Sequence, residues 1–227
     1  MTLAPEGGAH QSVITPSVGL EQPQCIAWEP AFGQDLEWTL LYALGRLGRP
    51  DGSSSYFRLT TRPLDQSLAG LPQDPVAREQ RRRDALAGGY LLRQSPSAPA
   101  VTLVAMGAVV PEALAAADEL VNGGLAVDVV SLTSADLVFR ASQARRGLLD
   151  GDDAILDRLF PPARVAPLVT VLDGHPHTLA FLGSVRGVPA ASLGVADFGQ
   201  SGDVDDLYRH FGIDADTIVG AALDLLG

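Results

Sequence analysis

Four continuous apolar runs, VTLVAM (residues 101–106), AVDVVSL (126–132), LVTVLD (168–173) and AASLGV (190–195), constrain the fold of this chain more than any other feature. A strand that is apolar along its whole length has both faces buried, as in a parallel sheet held between helix layers. Helical spacing fills the intervals. One helix opens at Pro111 and runs to about Asn122, where Gly123-Gly124 stops it, and others are expected near residues 152–160, 177–186, 203–211 and 214–226. Strands alternating with helices predict an α/β, parallel-sheet, three-layer domain over residues 88–227. Apolar residues make up 46% of the chain, enough to cover both faces of such a sheet.

Residues 1–65 carry a shorter version of the same pattern. CIAW (25–28) reads as a strand ended by Glu29-Pro30. Residues 31–47 repeat Phe32, Leu36, Leu40, Leu41, Leu44 and Leu47 at helical spacing, and SYFRLTT (55–61) alternates as a second strand after the turn RPDGSS. This strand–helix–strand unit is the tail of an α/β sheet and is incomplete by itself. Residues 62–87 hold three prolines, a polar stretch and the run Arg81-Arg82-Arg83, and residues 66–87 are placed as a linker. The arginines read either as a solvated helix or linker face or as an intersubunit contact.

Charge and cysteine content narrow the partners. Sixteen basic against 27 acidic side chains give a net charge of −11, which argues against nucleic acid or an anionic membrane surface. No apolar run approaches the ~20 residues of a membrane span, and no signal peptide is expected from the opening residues. The chain reads as soluble. The single Cys25 excludes an internal disulfide and suits a reducing cytoplasm; its apolar setting, QCIAWEP, reads as a buried, inert thiol.

Chemistry is sparse. MGAVVPEA has neither GxGxxG nor GxxxxGK[ST], so the strand–Gly107–helix junction is a tight turn and a dinucleotide oxidoreductase is disfavoured. Asp173-Gly-His-Pro-His177 ends a strand, where ligands of α/β proteins bind. Its two histidines read as a helix-entry turn, with an interface or site role as the alternative and no Cys cluster or HExxH to support a metal. Ser12, Ser192 and Ser201 have no GxSxG elbow around them. PEGGAHQS (5–12) is different: Gly7 and Gly8 permit close backbone approach to a ligand, and the His10 imidazole exchanges a proton near neutral pH. The alternative is a loop histidine that only caps local backbone.

Two stretches carry a family resemblance, EGGAHQS…QPQCIAWEPAF and GVADFGQSGDVDDLYRHFGIDADTI (194–218). The second resembles the end of the transketolase family, with its G-x-D-x-FG-x-S turn, L-Y-x-HF helix and final helix. VTLVAMGAVVPEALAAADELVNGGLAVDVVSLTS resembles the start of that family's C-terminal domain. Within the family, EG-x-x-H followed by P-x-C-I-x-x-x-P-A is most similar to the homodimeric pyruvate dehydrogenase decarboxylase component. The resemblance implies an enzyme that uses thiamine diphosphate and Mg to decarboxylate a 2-oxo acid, as a homodimer, passing the acyl group to a lipoyl acyltransferase complex. It aligns His10 with the histidine that meets substrate and thiamine adduct, making it the expected catalytic and substrate-binding residue. The neighbouring Gly-Gly-Ala departs from the DGPTHQ of transketolases.

The same resemblance sets expectations for what this chain holds. Residues 1–65 correspond to the end of a pyrimidine-binding domain, an incomplete α/β remnant, and residues 88–227 to the C-terminal domain. No GDG is present, and the activating glutamate of the family belongs before residue 1. The chain by itself is therefore expected to be inactive and to bind neither cofactor nor metal, whether it is a fragment or a natural subunit needing a companion chain. The alternatives are a split transketolase-like subunit for two-carbon transfer and a non-catalytic interaction module.

Overall fold

The computed structural model describes residues 1–2 and 4–227, Ala9 through its backbone only. In chain order the elements are α1 (Val18–Glu21), β1 (Cys25–Trp28), α2 (Gly33–Arg46), β2 (Ser54–Phe57), α3 (Pro75–Ala87), β3 (Gly89–Arg93), β4 (Val101–Met106), α4 (Val110–Asn122), β5 (Val127–Leu132), α5 (Ala135–Arg145), α6 (Ile155–Leu159), β6 (Leu168–Leu172), α7 (His177–Ala180), α8 (Gly183–Arg186), β7 (Ala190–Leu193), α9 (Val204–Phe211) and α10 (Ala215–Leu226).

The four apolar runs become β4 to β7 of a five-stranded sheet in the order β3-β5-β4-β6-β7. β4 pairs in parallel with β5 and β6, and β6 with β7, so the α/β class and parallel core hold. β3 is an antiparallel edge strand that the sequence reading does not foresee, because Gly88-Gly89 and Arg93 hide its pattern. Alternation within each strand feeds two separate cores. Val101, Leu103 and Ala105 pack with Ala113 and Leu120 of α4 and with Ile218 and Ala222 of α10. Val104 and Met106 turn the other way, toward Val138 of α5, Leu156 of α6 and Leu179 of α7. Each fully buried aliphatic side chain contributes about 1.5–3 kcal/mol. The helix expected over 177–186 is two single turns, and α5 lies outside the helices that the sequence predicts.

β1 and β2 form a separate two-stranded parallel sheet, Cys25 opposite Ser54 and Trp28 opposite Phe57. The helical period over 31–47 yields α2, but its buried side is not the leucine side. Asp35, Thr39 and Ala43 face inward, while Leu40, Leu41 and Leu44 are exposed. Polar chemistry sets this orientation: Tyr90 of β3 donates its hydroxyl to Asp35 Oδ2 at 2.6 Å, and Thr39 Oγ1 donates to the Asp35 carbonyl at 2.8 Å.

The stretch expected as a linker contains α3, opened by Pro75 with Asp74 Oδ2 accepting from Ala77 N at 2.8 Å. Its arginines are engaged. Arg81 lies 4.0 Å over the Tyr90 ring, and Arg82 and Arg83 pair with Glu79. Among the described residues no helix is long and apolar enough to cross a membrane.

Burial pushes the Asp35 carboxyl up to about 6, against the opposing Tyr90 hydrogen bond. A carboxyl raised in the folded state favours folding below its unfolded pKa, and that contribution is lost as pH rises through the folded value. Asp35→Asn is therefore expected to remove a component of pH-dependent stability between about pH 4 and about pH 6.5, worth on the order of 2–3 kcal/mol. Denaturant unfolding of both proteins across that range checks it; parallel pH profiles would show that Asp35 is not the titrating group.

Candidate functional site

The carboxyl ends of four parallel strands meet at one cavity. Glu29 follows β1, Arg58 follows β2, Gly107 follows β4 and Asp173 follows β6, and all four line a space of about 190 Å³. Chain direction makes this the expected place for a ligand. From β4 the chain moves to β5 on one side, and from β6 to β7 on the other. The crevice between β4 and β6 is thus the switch point where α/β sheets bind ligands. His10, Gln11, Ser12, Thr15, Thr60 and Thr61 complete much of the wall.

The floor is charged. Arg58 Nη1 donates to Glu29 Oε1 at 2.5 Å, with both side chains largely buried. Desolvation is the main force on the Glu29 carboxyl and pushes it up to about 7; Arg58 opposes and Asp173 adds to the rise. Glu29 is fixed by its backbone, its N–H donating to the Thr133 carbonyl at 2.8 Å, and Arg58 by its N–H to the Trp28 carbonyl at 2.9 Å. Asp173 accepts from the Met1 amino group. Gly107 has φ +68, and a Cβ there would drive into the Glu29 carboxyl group.

His10 lines the same cavity in a short 3-10 turn, Gly8–His10, with its side chain 62% exposed and its Nε2 4.0 Å from Glu6 Oε2. It therefore stands at the mouth. Gly7 and Gly8 have a different use from the one the sequence suggests. A Cβ at Gly8 would collide with the Phe198 ring and the Gly199 carbonyl, and one at Gly7 with Ser201 Oγ. The glycines let the opening loop seat against the DFGQSG turn, not a ligand. Gln11 Nε2 donates to the Gln200 carbonyl at 3.2 Å and Gly202 N to the Ala4 carbonyl at 3.2 Å, so the two distinctive stretches form one structure.

The other candidates fall elsewhere. His175 and His177 lie with their Nδ1 atoms 2.6 Å apart outside the cavity wall, and His175 N donates to the Val13 carbonyl at 2.7 Å. Ser192 is within β7 and Ser201 packs on Gly7. Burial raises the Cys25 thiol, which disfavours the nucleophilic thiolate. Sequence reasoning missed Glu29, Arg58 and Gly107 as site residues, and took from DGHPH its histidines rather than Asp173. The available signal was position: each is the first residue after a strand.

The fit to a diphosphate–metal cofactor is poor. Arg58, the one arginine among the described residues lining the cavity, is committed to Glu29. Among the described residues no group of three or more His, Cys, Asp or Glu side chains could hold a metal ion. These residues do not by themselves make the clamp that thiamine diphosphate requires.

Comparison with known proteins agrees with the fold and refines the identity. The transketolase-like C-terminal domain model matches residues 88–214, more than half of the chain. The chain belongs to that family. It is 32% identical over 224 residues to the chromosomal transketolase of Cupriavidus necator, spanning 99% of this chain and 29% of that one. The transketolase structure from Campylobacter jejuni superposes with a TM-score of 0.71 at 24% identity, over 98% of this chain and 30% of the other. A split-gene transketolase described as an inactive beta4 tetramer superposes with a TM-score of 0.64 at 20% identity, over 96% of this chain and 62% of that chain. The chain thus spans under a third of the length of the full relatives. These relatives carry the transketolase name, which favours the two-carbon-transfer alternative over pyruvate dehydrogenase and gives the lipoyl partner no support.

Gly107→Ala is expected to destabilise the protein by about 1–3 kcal/mol, from left-handed strain and from displacement of Glu29. A urea midpoint measured beside wild type tests this. An unchanged midpoint would mean that the turn relaxes without touching Glu29.

Proposed function

We propose that this chain is the C-terminal part of a transketolase-like, thiamine-diphosphate-dependent enzyme that transfers a two-carbon ketol unit, with the cofactor and Mg clamped by residues outside it. The carrying observation is the cavity at which four strand ends meet, with His10 at its mouth, in a chain of the transketolase C-terminal family. The remaining domains come from a longer polypeptide or from a companion subunit, and the assembly is a homodimer or a higher oligomer. The split-gene relative lends support to the companion form. Domain boundaries follow: 1–65 as the end of the pyrimidine-binding domain, 66–87 as a connector built on α3, and 88–227 as the C-terminal domain.

His10 is proposed as the catalytic and substrate-binding residue. An exposed imidazole beside Glu6 can take or give a proton to a carbonyl or hydroxyl oxygen at the cavity mouth. Decarboxylation of a 2-oxo acid is a second reading, favoured by EG-x-x-H standing where transketolases have DGPTHQ. The chain supplied with the complementary domains separates the two: ketol transfer from donor to aldehyde supports the first, and carbon dioxide release from pyruvate the second. Neither activity in a complete, folded assembly would leave the interaction-module reading.

In the complete enzyme, His10→Ala is expected to lower turnover by about 10²-fold or more. The melting temperature should hardly move, because the side chain is exposed. Steady-state rates with a parallel melting curve check this; near-normal turnover returns His10 to a structural role. Titration calorimetry of the chain by itself with thiamine diphosphate and Mg is expected to show no micromolar binding.

A further inference from the structure

Glu29 is a buried ionisable side chain on the cavity wall with an oxygen left over. The residue is 6% exposed, Arg58 occupies Oε1, and Oε2 has no protein partner. An unpaired carboxylate oxygen in a buried setting is costly unless a ligand, water or proton satisfies it. Backbone contacts at Thr133 and the bare Gly107 hold the group in place.

The rest of the wall indicates what that oxygen meets. Thr2, Ser12, Thr15, Thr60 and Thr61 offer hydroxyls. The charges that face Glu29 are Arg58 from beyond β2, Asp173 from beyond β6 and the Met1 amino group, and they are paired off as Arg58–Glu29 and Met1–Asp173. From beyond β4 come only Gly107 and Ala108, without charge, and His10 stands at the mouth. These hydroxyls and the unpaired Glu29 oxygen suit a neutral, oxygen-rich ligand, which finds both donors and acceptors here.

We propose that Glu29 is the proton-holding residue of the cavity, its Oε2 bonding directly to an oxygen of a small neutral hydroxycarbonyl ligand. This deepens the proposed function and rests on that reading's premise that the cavity is the ligand site. Neutral Glu29 donates its O–H to the ligand carbonyl; ionised Glu29 accepts from the ligand hydroxyl. With a carboxyl near 7, both forms are populated around neutral pH.

The test uses the full chain with glutamate carboxyls labelled with carbon-13 and hydroxyacetone as the probe, by NMR from about pH 5 to about pH 9. The Glu29 resonance is expected to titrate near 7 and to shift with the probe. Glu29→Gln keeps an acceptor for Arg58 but cannot change protonation. It should bind hydroxyacetone at least about tenfold more weakly and lose the pH dependence of binding. A structural role limited to pairing Arg58 leaves that pH dependence intact in Glu29→Gln. The proposal is overturned by that result, by a Glu29 resonance indifferent to the probe, or by no saturable binding to wild type. Should Glu29→Gln fail to fold, the wild-type resonance decides. Failure of the ketol-transfer reading is separate: it is absent transfer in the completed enzyme with hydroxyacetone binding intact.

Discussion

The Glu29–Arg58 pair is the interaction on which the arrangement around the cavity depends. Two sheets aim the carboxyl ends of their strands at one point, and something must fill that point without leaving an unpaired charge. Arg58, delivered by β2, neutralises much of Glu29, delivered by β1, at 2.5 Å. Removing one partner would strand the other in a poorly solvated place, the costly case for a buried ion pair. Gly107 from β4 then fits against the carboxyl because it has no side chain. At this carboxylate the β1–β2 unit meets the five-stranded sheet, with the Glu29 N–H donating to the Thr133 carbonyl beside it, and the cavity is what remains above.

The large sheet was legible because its physics is one-dimensional. A strand buried on both faces must be apolar at consecutive positions, so VTLVAM could be little else, and Val101, Leu103 and Ala105 against Val104 and Met106 supply the two cores. α2 shows the limit of the method. Its leucines have helical spacing and form a helix, yet spacing says only that they share a face, not that the face is buried. Leu41 is 61% exposed, while the inward side is held by Asp35 and Thr39, polar residues that no hydrophobic pattern selects. Their partner, Tyr90, is 55 residues from Asp35 on an edge strand that was itself unseen.

The site divides in the same way. His10 was legible because its loop has a motif. Glu29, Arg58, Gly107 and Asp173 are ordinary residues spread over 145 positions, and only the topology brings them together. No local pattern marks them, but the rule that ligands gather at strand carboxyl ends assigns each once the strands are drawn. The glycines of PEGGAHQS misled for a related reason. Close approach is what glycine permits, and sequence does not tell whether ligand or protein approaches.

The same contacts show which scaffold holds this loop. Here it comes from residues far downstream: Gly202 N donates to the Ala4 carbonyl, His175 N to the Val13 carbonyl, and the Phe198 ring covers Gly8. The β1–β2 sheet is held likewise, since a two-stranded sheet is at best marginal alone. Ala27 N donates to Asp136 Oδ1 at 3.2 Å, and Arg140 Nη2 donates to the Cys25 carbonyl at 2.7 Å. The order of the first 60 residues is therefore borrowed from the larger sheet through the seam that Glu29 closes. His10 keeps its place at the cavity mouth because the C-terminal turns hold it there.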